Sequence, residues 1–110
     1  MPAINVSINI QGIVQGVGFR PTVFIYAHNH HLTGWVMNSA HGVDIELHGN
    51  EADIQAFIDE LRSAPPKQAK IDLFTVTKDP TIIYPDFSIL DSVDNPEDYR
   101  GIQQLQPFYP

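Results

Sequence analysis

A chain of 110 residues, 43% of them hydrophobic, is long enough for one domain with a sizeable core and too short for two independent ones. It has no cysteine, which excludes disulfides, thiolate chemistry and Cys-based zinc or iron–sulfur sites within it; its formal charge of −7 disfavours nonspecific nucleic-acid binding, which needs a dense phosphate-neutralising surface. No apolar run reaches the ~18 residues of a membrane span and the amino end lacks a signal-peptide pattern, so the expectation is a soluble, cytoplasmic protein without nucleic-acid or membrane partners.

Along the chain, Ile4, Val6, Ile8 and Ile10 alternate with Asn5, Ser7, Asn9 and Gln11, the pattern of a strand with one buried and one polar face. Gly12-Ile13-Val14-Gln15-Gly16-Val17-Gly18-Phe19-Arg20-Pro21 follows. Its glycines admit conformations or close approaches that a Cβ would obstruct, and Pro21 suits the first turn of a helix. Successive amides in such a loop can point inward as an anion nest, reinforced by the unpaired N–H groups of the helix start. Arg20 adds a planar cationic fork that matches two phosphate or carboxylate oxygens. By spacing alone the stretch is neither a dinucleotide fingerprint nor a P-loop, and a tight turn whose Arg pairs with a surface carboxylate stands beside the anion-binding reading.

Val23, Tyr26, Ala27 and His30 then recur at helical spacing, predicting a helix that ends near His31 or Leu32. His28, His30 and His31 lack supporting Asp, Glu or Cys at metal-ligand spacing, so His30 is read as a partly buried space filler and no metal site is assigned. Gly34-Trp35-Val36-Met37-Asn38 is a short strand with Gly34, Val36 and Asn38 on one face and Trp35 and Met37 on the other. After a turn at Ser39–Gly42, Val43, Ile45 and Leu47 alternate with Asp44, Glu46 and His48, which read as a solvated acidic face rather than paired catalytic carboxylates.

The second helix is the clearest. Asn50 can cap it, Glu51 and Asp53 lie in its first turn, Ile54, Phe57, Ile58 and Leu61 form its apolar stripe, and Pro65-Pro66 ends it. A fourth strand runs from Ile71 to Thr77, Ile82 to Tyr84 cover the sheet or pair briefly, and Phe87 and Ile89 mark a short last strand. Two helices on one face of a mainly antiparallel sheet make an α+β domain over residues 1–90. Residues 91–110 read as an acidic, then aromatic tail, docked or flexible, in which Asp91, Asp94, Glu97 and Asp98 against Arg100 leave a net −3.

These residues resemble the acylphosphatase family, with Gly12 to Arg20 similar to its phosphate loop and Gly34 to Asn38 to its second signature. The likeness covers about residues 4–90 and includes the element order. It implies a ferredoxin-like α/β sandwich that hydrolyses acyl phosphates to a carboxylate and inorganic phosphate, with no metal or other cofactor. Arg20 would bind the phosphoryl group, Asn38 would orient the attacking water, and backbone amides of Gln15, Gly16, Val17, Gly18, Phe19 and Arg20 would hold the remaining oxygens. Asn38 bonding within its own turn is the competing reading. Gly18-Phe19-Arg20-Pro21 is similar to the amino-terminal domain of hydrogenase maturation carbamoyltransferases, which implies carbamoyl phosphate as substrate and other maturation proteins as partners. The zinc modules and nucleotide-dependent domains of those factors have no counterpart here. A free-standing acylphosphatase, or a noncatalytic phosphate-binding or docking domain, remains the alternative, whereas an RNA-binding sheet would need a basic, aromatic face that this one lacks.

Overall fold

A computed structural model describes residues 3–91. In chain order it contains β1 (Ala3–Ile13), α1 (Phe19–Asn29), β2 (Thr33–Ser39), β3 (Gly42–Asn50), α2 (Glu51–Ser63), β4 (Lys70–Asp79) and β5 (Phe87–Ile89). The strands form one sheet in the order β4-β1-β3-β2-β5, antiparallel except where β5 runs parallel to β2. This is the α+β, ferredoxin-like arrangement of acylphosphatase type, with β5 added as an edge strand. The stretch read as a tail lies outside the described residues from position 92 onward.

The period-two patterns decide the main core. Val6, Ile8 and Ile10 of β1 stand opposite Leu47, Ile45 and Val43 of β3, so six apolar side chains share one face of the sheet. Against them pack Phe19, Val23 and Ala27 from α1 and Ile54, Phe57, Ile58 and Leu61 from α2. The α2 start is capped as expected: the Asn50 side chain accepts from the Asp53 N–H at 2.8 Å. Helix α1 stops at Asn29, slightly earlier than its spacing suggests. His31 adopts φ 60° and the Leu32 N–H reaches back to the Ala27 carbonyl at 2.9 Å, turning the chain out of the helix. His30 is half-buried and meets Glu60 of α2 at 2.7 Å, joining the two helices. Among the described residues, no group of three or more His, Asp or Glu could hold a metal ion, and no helix is long and apolar enough to cross a membrane.

The opposite face of the sheet differs from the solvated surface that alternation suggests. The connection between β4 and β5 covers part of it, with Tyr84 packed on Trp35 and Met37 and the Ile82 carbonyl accepting from Asn5 at 2.9 Å. Glu46 is therefore only 1% exposed and Asn5 is fully buried. Glu46 accepts from Asn5 and Ser7, each at 3.0 Å, while Ser7 also bonds Asp79. One serine proton cannot serve two carboxylates, so the cluster is satisfied when Glu46 itself is protonated. Burial, reinforced by a hydrogen bond with Asp79, pushes the Glu46 carboxyl up to about 8. His48, also assigned to the solvated face, is half-buried and bonds the Asn5 side-chain oxygen at 2.8 Å. Period two decides which side chains share a face; whether that face meets water depends on a segment more than thirty residues away.

Candidate active site

The loop between β1 and α1 is held from within. Val14 is buried and Val17 packs against the core, so the backbone between them has little freedom to swing outward. Gly16 and Gly18 take φ of 75° and 79°, left-handed values that a side chain would disfavour, and Gly18 serves as the α1 N-cap. Thr22 ties the first helical turn down, bonding the Gly18 carbonyl through its N–H at 3.3 Å and its hydroxyl at 2.9 Å.

Arg20 lies in this first turn, half-buried, and one guanidinium N–H donates to the Leu90 carbonyl at 3.2 Å. Among the described residues it thus bonds a backbone carbonyl and no carboxylate. A guanidinium has five N–H donors, so this contact orients Arg20 and leaves donors for a ligand. Asn38, near the end of β2, is 8% exposed, and among the described residues its Oδ1 is buried with no hydrogen-bond partner. The turn that could have engaged it is tied otherwise: the His41 N–H bonds the Ser39 hydroxyl at 3.2 Å.

Gly16, Gly18, Phe19, Arg20 and Asn38 line one cavity of about 190 Å³, together with Val14 and Pro21. Two other loop residues point away from it. Val17 packs into the core, and the Gln15 side chain donates to the carbonyls of Ser39 and Gly42 at 2.7 and 2.9 Å. Gln15 also borders a neighbouring open depression of about 580 Å³, formed by Gln11 to Gln15 and Ser39 to Gly42. Sequence reasoning missed Val14 and Pro21 as cavity walls, although strand alternation and the helix start were visible signals for both. It also missed the Leu90 carbonyl, for which no local signal exists.

A cation, a helix start and an unsatisfied amide oxygen around a small enclosure suit an oxyanion and a water molecule. The acylphosphatase family model matches residues 6–89. The chain belongs to the acylphosphatase family. It is an acylphosphatase-type hydrolase closely related to the N-terminal acylphosphatase-like domain of HypF. It is 35% identical over 106 residues to a probable carbamoyltransferase HypF of Methanocaldococcus jannaschii, covering 96% of this chain but 11% of that protein. An acylphosphatase of Pediococcus pentosaceus is 35% identical over 85 residues, covering 76% of this chain and 94% of that enzyme. A crystal structure of full-length HypF in a phosphate- and nucleotide-bound form superposes with a TM-score of 0.84 at 44% identity, covering 86% of this chain and 12% of the other. The chain therefore spans about a tenth of the length of the HypF proteins that it matches.

Proposed function

We propose that this domain, residues 1–90, hydrolyses small acyl phosphates, carbamoyl phosphate foremost, as the acylphosphatase-like domain of a cytoplasmic hydrogenase maturation factor. Other maturation proteins are then its partners. The observation that supports the chemistry is the shared cavity, which Arg20, Asn38 with its unpartnered Oδ1 among the described residues, and the loop residues Gly16 and Gly18 line together. The likeness to proteins named as carbamoyltransferases supports the choice of substrate.

In this reading Arg20 and the amides of Gln15 to Arg20 bind the phosphoryl oxygens, and Asn38 Oδ1 accepts a hydrogen bond from the attacking water. The water oxygen forms a bond to phosphorus as the bond from phosphorus to the acyl oxygen breaks, releasing the carboxylate or carbamate. The described residues that line the cavity include no carboxylate or imidazole, so the water's proton passes to a phosphoryl oxygen. Preorganised amides and one cation meet the developing charge, and the protein supplies position and electrostatics in place of a metal.

Phosphate release from carbamoyl phosphate and from an aromatic acyl phosphate, measured side by side in EDTA, tests the reading. The expected result is hydrolysis of both, faster with carbamoyl phosphate, and a loss of about a hundredfold or more in Arg20→Ala as charge-assisted contacts worth a few kcal/mol disappear. Normal turnover by folded Arg20→Ala would overturn the site. Preference for the aromatic substrate would favour a general acylphosphatase, in keeping with the near-complete coverage of the Pediococcus enzyme.

A further inference from the structure

We propose that the Gln15 side chain is a positioning residue that sets the spacing between the phosphate loop and Asn38; the inference rests on the hydrolytic reading above. Gln15 is exposed, so packing does not hold its side chain in place. Its Nε2 reaches both the Ser39 carbonyl, at 2.7 Å, and the Gly42 carbonyl, at 2.9 Å. A side-chain amide has two N–H donors, and this pair of acceptors uses both.

The acceptors matter because of where they sit. Ser39 and Gly42 are the last register pair of the β2–β3 hairpin, and Ser39 directly follows Asn38. A single amide therefore spans the hairpin end from one strand to the other. Among the described residues, it is the side-chain hydrogen-bond link between the loop at residues 14–18 and the hairpin end at 38–42. One wall of the 190 Å³ cavity comes from that loop and another from Asn38. The phosphoryl group is gripped on the loop side and water is held on the hairpin side, so the attack distance depends on how far apart the two sides stand. Misplacement by an ångström can cost about a hundredfold in rate, and loosening a tether without removing the reacting groups costs part of that.

Gln15→Met keeps the side-chain length and removes both donors. The expected result is a fall in kcat of about tenfold, with KM and the inhibition constant of inorganic phosphate within about twofold of the parent, because Arg20 and the backbone amides still hold phosphate. In nitrogen-15 correlation spectra, the Asn38 side-chain amide signals should shift or broaden. If Gln15→Met fails to fold, Gln15→Asn, too short to reach both carbonyls, carries the same expectations. A kcat within about twofold of the parent, a phosphate affinity that falls in step with kcat, or Asn38 amide signals that superpose on the parent's would each overturn the proposal. If the parent protein hydrolyses neither substrate, the hydrolytic reading fails, and the Asn38 signals in parent and variant still decide whether the clamp exists.

Discussion

Asn38 carries a buried oxygen that nothing in the described chain satisfies, an arrangement that ordinarily costs about 1–3 kcal/mol of folding free energy. Removing it should therefore affect activity far more than stability. Asn38→Ala is expected to lower kcat about a hundredfold through loss of water placement, with inorganic phosphate still bound. Its melting temperature should remain within about 2 °C of the parent or rise, since truncation also removes the unpaired acceptor. Calorimetry alongside phosphate-release kinetics checks both halves, and unchanged turnover would remove Asn38 from the mechanism. The same chemistry makes a kinetic statement about protons. With no carboxylate or imidazole among the described residues that line the cavity, kcat should show no inflection from a protein group between about pH 6 and 8.

At the scale of elements, the hairpin carrying Asn38 owes its geometry to a close approach of backbones. Gly34 in β2 has φ 132°, and a Cβ there would lie 1.9 Å from the Glu46 carbonyl oxygen of β3. No side-chain rotation relieves that contact, so Gly34→Ala should destabilise the domain by about 3 kcal/mol or more in urea melts. Asn50→Ala, which removes the α2 cap, should cost only about 1 kcal/mol, because the apolar stripe of that helix is untouched. A similar cost for both would show that the β2–β3 approach is looser than described. Spacing made α2, its cap and its stripe legible because all three depend on residues within a few positions of one another. The early end of α1 depends on a left-handed residue and a backbone bond, neither of which leaves a periodic trace.

For the molecule as a whole, the covered second face couples stability to pH through Glu46. Its folded pKa of about 8 lies above the ordinary carboxyl value of 4.5. Between those values the native state holds a proton that the unfolded chain releases. The contribution of Glu46 to stability should therefore be fully present below about pH 4.5 and be lost as pH rises from there to about 8. Glu46→Gln keeps the shape and an oxygen for Asn5, and places an N–H donor, in place of the oxygen that accepts from Ser7, toward Ser7 and Asp79, so it should flatten this slope and stabilise the protein more at pH 8 than at pH 5. Urea melts at the two pH values measure it, and parallel profiles for parent and variant would show that Glu46 is ionised in the fold.

The sequence by itself determined the fold class, the facing apolar sets of β1 and β3, both helical stripes and the two stretches that line the cavity. These follow from side-chain periodicity and backbone preferences that act over a few residues, together with two motifs whose separation matches a known family. Only the tertiary structure decided that Glu46 is buried, that Arg20 is oriented by Leu90 and that Gln15 grips the hairpin. Those contacts join residues 39 and 41 positions apart at the covered face, 70 at the arginine, and 24 and 27 at the clamp. Their formation depends on which surfaces meet once the sheet closes, and no local pattern encodes that choice.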